Sequence, residues 1–348
     1  MVILMSDVTL FINNQPVTVD GDRHLLDILR NDLRLKSVKD GCSEGACGTC
    51  TVIIDGKAMK ACVQKAMRLQ GKHILTVEGL SPREKEVFVY AFGEAGAVQC
   101  GFCIPGMVMC AKALLDQNPT PNRLDIVHAI RNNICRCTGY KKIIDGIALA
   151  ADMLYHHTPI PTEETYQHVG ARCHRIDVKG KVLGTGQYVD DLDAVDMPGL
   201  CYGSAVRSAY PRAIVKAIHT EEALALPGIL GVFTAADIPG SVKVGHLKTD
   251  WDAMIPIGKT THYLGDAIAL VAAESPEILA EAKKLVHIDY EPLPPLTDAR
   301  TAMQPDAPLV HDEEDSNILV HEHLVRGDAD AVIAASAYKV TNHYETPW

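Results

Sequence analysis

Eight of the eleven cysteines in this 348-residue chain fall into two groups, and a chain that must gather four thiols twice has few ways to fold. The first group is Cys42, Cys47 and Cys50, with Cys62 after eleven intervening residues. This C-x4-C-x2-C…C order suits a [2Fe-2S] centre. The second group is Cys100 and Cys103, then Cys135 and Cys137 across a 31-residue gap. Two one-electron centres in series would make a wire.

The chain is long enough for two or three domains, each burying its own core. With 33 basic and 44 acidic side chains, its formal charge of -11 argues against a nucleic-acid surface. The apolar run Val2 to Met5 is far shorter than a signal-peptide core, and no segment reaches bilayer-spanning length, so a soluble, cytoplasmic protein is expected. In a reducing compartment, a cysteine-rich chain holds metal or catalytic thiols more often than disulfides.

Residues 7 to 20 alternate apolar Val8, Leu10 and Ile12, turn at Asn13-Asn14, and resume through Val17 and Val19, which predicts a hairpin. Leu25, Ile28, Leu29 and Leu33 have helical spacing and lead into the Gly-rich cysteine loop. Thr51 to Ile54, the Asp55-Gly56 turn and the run Ile74 to Val77 complete a small ferredoxin-like unit. From Glu84 the period becomes helical, predicting helices near 84–96, 104–117, 121–132 and 140–155, the third with Thr120 as N-cap and Pro121 in its first turn. The fourth carries the stripe Ile143, Ile144, Ile147, Ala151 and Leu154. A Pro-rich stretch from His156 to Gln167 reads as a linker. Beyond it, strand-like runs Ile268 to Val271 and Val286 to Tyr290 and a helix near 275–285 give a second body of mixed α and β character.

A [2Fe-2S] group needs four thiolates and hydrogen bonds to sulfur from the enclosing backbone. Gly41, Gly45, Ala46 and Gly48 thin the first loop for that purpose. Zinc is the alternative for both sets, more so for the second, whose C-x2-C and distant C-x-C also suit a tetrahedral ion. Helix-terminal N-H groups would favour a cluster at the end of the bundle. Cys110 follows Met107, Val108 and Met109 as a core thiol, and Cys173 and Cys201 read as packing residues. His156-His157 close a helix, where imidazoles meet the C-terminal dipole. Arg136, between two candidate ligands, reads equally as a tuning charge or a solvated one. Gly184-Thr185-Gly186 lacks the third glycine of a dinucleotide fingerprint.

Three motifs, G-C-S-E-G-A-C-G-T-C from Gly41, Q-C-G-F-C-I-P-G from Gln99 and C-R-C-T-G-Y from Cys135, together resemble the molybdenum hydroxylases, the family of xanthine dehydrogenase and aldehyde oxidoreductase. The stretches from Arg175, Leu226 and Tyr263 are similar to the opening of that family's molybdenum-binding part. The resemblance implies an α+β multidomain chain: a β-grasp [2Fe-2S] domain over 1–80, a four-helix [2Fe-2S] domain over 81–157, a linker over 158–174, an α/β hammerhead over 175–300, and the start of a molybdenum-cofactor domain over 301–348. It implies an outer cluster on Cys42, Cys47, Cys50 and Cys62, an inner cluster on Cys100, Cys103, Cys135 and Cys137, and pterin contacts from Gln99 and Cys137.

Only a short linker separates the two parts, as in flavin-free aldehyde oxidoreductases. An external flavoprotein, flavodoxin or ferredoxin is therefore the expected acceptor, reached through the more exposed outer cluster. Family chains run on beyond the position of Trp348, so the molybdenum pocket and its catalytic base are expected on a remaining polypeptide or subunit, and no catalytic residue is assigned here. The leading expectation is the electron-transfer portion of such an enzyme, inactive in substrate oxidation alone. The alternatives are a stand-alone iron-sulfur subunit that docks a separate molybdenum subunit, and a zinc-stabilised scaffold.

Overall fold

The computed structural model describes residues 7–161, 169, 173–193, 195–246 and 248–346. The Val2–Met5 run and most of the expected linker lie outside them. Strands β1 (Asp7–Ile12) and β2 (Gln15–Asp20) pair antiparallel. Asn13 and Asn14 take φ of 50° and 67°, the two left-handed positions that a tight hairpin turn demands and asparagine tolerates. Helix α1 (Leu25–Asp27) runs straight into a wider π turn, Ile28–Asp32, rather than one regular helix, and buries Leu25, Leu26, Ile28, Leu29 and Arg30.

Strands β3 (Thr51–Ile54), β4 (Lys57–Lys60) and β5 (His73–Leu75) complete a five-stranded sheet in the order β2-β1-β5-β3-β4. The β1-β5 pair is parallel and the others antiparallel, which is the expected β-grasp arrangement. The expected strand to Val77 stops at Leu75, and Val77–Gly79 forms a short 3-10 turn. Strand β3 is buried along its whole length because both faces are covered. Val52 and Ile54 join the core beneath α1, whereas Ile53 joins the helical core on the other side.

That second core is built by α2 (Pro82–Glu94), α3 (Ile104–Gln117), α4 (Arg123–Ile130) and α5 (Lys141–Tyr155). Helix α2 starts before Glu84 because Ser81 and Glu84 cap each other reciprocally and Pro82 occupies the first turn. In α4 the expected Thr120 cap is displaced by Asn122, whose side-chain oxygen accepts from Leu124 and Asp125 N-H while Asp125 reaches back to Asn122 N-H. Two reciprocal bonds win over a lone hydroxyl followed by proline. Along α5, Ile143, Ile144, Ile147 and Ala151 are buried as one stripe. Cys110 is a buried core thiol, as expected, and donates to Asn133 Oδ1 at 3.1 Å.

Helix α6 (Val178–Leu183) packs Val178 and Val182 into the same core, so residues past the expected boundary at 174 contribute to the first compact unit, Met1–Asp196. Met197–Trp348 form a second unit. It contains β6 (Tyr202–Arg207), β7 (Ala213–His219), α7 (Glu221–Leu224), β8 (Ile229–Thr234), the short β9 (Lys243–Val244) and β10 (Trp251–Asp252), β11 (Ala267–Ala273), α8 (Pro276–Leu285), β12 (His287–Pro292), α9 (Ala299–Ala302) and α10 (Ala329–Ala335). The sheet β6-β11-β8 is antiparallel and packs Ala269, Val271 and Val206 against Ala223 of α7 and Ala282 of α8. A β7-β12 ribbon adds Val215 to a smaller core with Ile255 and Ile268. Cys173 and Cys201, expected to pack, are exposed instead.

Candidate metal centres

The first set of cysteines sits on the loop between the π turn and β3, closed by Cys62 just after β4. Antiparallel pairing of β3 with β4 explains the spacing, because Thr51 opposite Lys60 brings Cys50 and Cys62 to the same end of the sheet. The loop is wound tightly. Gly48 has φ of 74°, and a Cβ there would stand 2.4 Å from the carbonyl oxygen of Asn132. Backbone N-H groups turn inward: that of Cys47 lies 3.3 Å from Cys42 Sγ. N-H donation from Cys47, Glu44 and Ala46 favours the thiolate and brings the Cys42 pKa down to about 7. Burial drives Cys50 the other way, up to about 12, beside Cys62.

The second set comes from two segments. Cys100 and Cys103 precede α3, Cys103 being its cap residue, and Cys135 and Cys137 lie between α4 and α5. Tyr140, at φ of 68°, braces the latter segment: its hydroxyl accepts from Cys135 N-H at 2.9 Å and donates to the Asn133 carbonyl at 3.2 Å. Burial pushes the Cys103 thiol upward, with Cys135 and Cys100 adding to the rise. Burial also opposes ionisation of Cys135, but hydrogen bonds from the Thr138 hydroxyl and from backbone N-H groups outweigh it and lower its pKa. Cys137 is raised by its contact with the Cys100 thiol.

These contacts group the thiols in pairs: Cys42 with Cys47, Cys50 with Cys62, Cys103 with Cys135, and Cys100 with Cys137. Two thiolates on each of two irons is the demand of a [2Fe-2S] group, whereas zinc asks for four ligands around one point. The donor set and the inward N-H groups therefore fit the diiron group.

Exposure differs between the two sets. Cys50 and Cys62 are buried and Cys42 and Cys47 half-buried, while Cys100 and Cys137 of the second set are exposed, as are Gln99 and Arg136. Within these 348 residues the second set is the more exposed: strands β3 and β4 and the core beneath α1 cover the closing end of the first, but Cys100 and Cys137 of the second lie open.

Sequence reasoning missed the residues that join the two sets. The N-H of Ile134 donates to the Cys47 carbonyl at 2.8 Å, one residue before Cys135. Asn133 is buried and its amide donates to the Gly48 carbonyl at 2.8 Å. The polar turn Arg131-Asn132-Asn133 before Ile134 reads as an ordinary helix-to-loop exit, so the asparagine pair between helices was the one available hint.

Three family models match the chain: a 2Fe-2S iron-sulfur cluster binding domain over residues 10–76, a [2Fe-2S] binding domain over 76–148, and the a/b hammerhead domain of aldehyde oxidase and xanthine dehydrogenase over 183–294. The aldehyde oxidoreductase of Megalodesulfovibrio gigas is 35% identical over 339 residues, covering 93% of this chain and 37% of that protein. The nicotinate dehydrogenase small FeS subunit of Eubacterium barkeri is 46% identical over 137 residues, 39% of this chain and 87% of that subunit. The solved aldehyde oxidoreductase from Desulfovibrio gigas superposes with a TM-score of 0.84 at 32% identity over 96% of this chain and 39% of that one. The chain thus spans well under half the length of the aldehyde oxidoreductases it matches.

Proposed function

The chain belongs to the molybdenum hydroxylase family, and on that premise we propose that it conducts electrons, one at a time, between a molybdenum-pterin site and an external acceptor. Cys42, Cys47, Cys50 and Cys62 would hold one [2Fe-2S] cluster, and Cys100, Cys103, Cys135 and Cys137 the other. The chemistry such clusters supply is one-electron uptake and release. The chain's own residues provide the thiolates, direct N-H groups at sulfur, and fix the separation of the two sites.

The observation that carries this reading is the Ile134 N-H to Cys47 carbonyl bond, which locks the two cysteine loops to each other within one compact unit. Asn133 reinforces it through Gly48. Gln99 and Cys137, both exposed, would meet the pterin, and their exposure supports an approach from that side. We place substrate oxidation on molybdenum-binding residues outside these 348, so that the chain alone does not turn over aldehyde or heterocycle. The acceptor would be a flavoprotein, flavodoxin or ferredoxin. A reducing, cytoplasmic setting belongs to the same proposal and is supported by eleven unpaired thiols. No described helix is long and apolar enough to cross a membrane.

The likeness to a separate small FeS subunit favours a second reading, in which the chain docks a distinct molybdenum subunit. Both readings predict about four irons per chain with matching sulfide, and two paramagnetic signals on reduction. Zinc without sulfide would sink both. Turnover by the purified chain without a partner would overturn the placement of catalysis elsewhere.

A further inference from the structure

Three charged side chains that electron conduction does not by itself require meet inside the first unit. The Lys39 ammonium, 1% exposed, stands 2.5 Å from Oδ2 of Asp191, which is 4% exposed. Arg30 approaches Oδ1 of the same carboxylate at 3.1 Å. Taking such ions out of water costs several kcal/mol each, and a buried pair at best recovers that cost, so stability is a poor reason for them.

Their position is more telling. Lys39 lies three residues before Cys42, and its carbonyl accepts from Thr49 Oγ1 at 3.1 Å, a hydroxyl that is itself 3.2 Å from Cys47 Sγ. From this first cysteine loop the side chain reaches toward the second. Its ammonium lies 4.9 Å from the centre of the Tyr188 ring, and the Tyr188 hydroxyl donates to the Cys100 carbonyl at 2.6 Å. The Tyr188 N-H donates to Asp191 Oδ2 at 3.1 Å, and the ring meets Phe102 edge-on at 5.1 Å.

We infer that Lys39 and Asp191 are positioning residues that set the reduction potential of the second-set centre, acting through Tyr188 and the Cys100 carbonyl. This rests on the cluster assignment proposed above. Reduction adds one electron to the centre, and no bond to the chain forms or breaks. A fixed positive charge nearby favours the added electron and a negative charge disfavours it, and burial keeps both from being screened. Neutralising Lys39 therefore lowers the potential, and neutralising Asp191 raises it.

The test is a redox titration of the full, cluster-loaded chain followed by electron paramagnetic resonance. Lys39→Met should reduce the reduced-to-oxidised ratio of the second-set signal at fixed potential by about threefold, which is about 28 mV at about 59 mV per tenfold for one electron. The first-set signal should move less. Lys39→Arg, which keeps the charge, should stay near the parent value. Asp191→Asn is read in the Lys39→Arg background, because burial pulls the lysine toward its neutral form and arginine does not lose its proton. It should raise the ratio relative to Lys39→Arg alone. Shifts of one sign in both variants, no shift, or an equal effect of Lys39→Arg and Lys39→Met would overturn the inference. Should Lys39→Met fail to load, the Asp191→Asn comparison decides it. A parent chain lacking two signals would instead sink the cluster assignment.

Discussion

The two cysteine sets solve one chemical problem by different means. The first is nearly all one loop, held by its own backbone, with inward N-H groups that lower the Cys42 pKa to about 7. The second is assembled from two segments separated by two helices, and it depends on the packing of α3, α4 and α5 to exist at all. A local loop can hold ligands with little help, whereas a split site inherits its geometry from a core. The difference teaches that core damage should reach the second set first, while loop damage should stay with the first.

The largest expected effect is direct ligand loss. Cys103→Ser should abolish one of two paramagnetic signals in the reduced protein, and Cys47→Ser the other, each leaving its counterpart. Loss of both signals from either change would show that the sets are not independent. Next, Ile147→Ala in the buried stripe of α5 should destabilise the first unit by about 2–5 kcal/mol through lost packing. In denaturant it should release the second-set iron ahead of the first. Equal release would break the comparison.

A smaller effect is expected of Asn133→Ala, at about 1–3 kcal/mol, because it removes two buried hydrogen bonds, one to the Gly48 carbonyl and one from the Cys110 thiol. Its distinguishing sign is broadening of both signals rather than loss of one, since Asn133 ties the loops together. Smallest should be Asn122→Ala, about 1 kcal/mol by urea unfolding, as the cap of α4 is lost. An iron chelator sharpens the contrast without mutation: exposed Cys100 and Cys137 predict that the second set is stripped sooner.

Much of this molecule was readable from residue order. The Asn13-Asn14 turn, the Asp55-Gly56 turn, the stripe of α5 and the range of α3 follow from local rules, and the structure reproduces them. Where reading failed, a competing local choice usually won. Asn122 displaced Thr120 because Asp125 could complete a reciprocal cap, and Ser81 with Glu84 drew α2 back to Pro82. Cys173 and Cys201 look like packing residues in a line of text, yet both are exposed, since apolar character alone does not say which face of a segment finds a core.

Spacing and chemistry, which are properties of the chain as written, led to the expectation that eight cysteines fall into two sets of four, and they determined that the first loop is thinned by glycine. Only the tertiary structure decided that Ile134 and Asn133 clasp the first loop, that Lys39 from one loop stands over a tyrosine touching the other, and that the second set is the more open one. The physical reason is range. Turns, caps and ligand spacings are settled within a few residues, but burial, ion pairing and the meeting of distant loops are settled by which surfaces a folded core brings together.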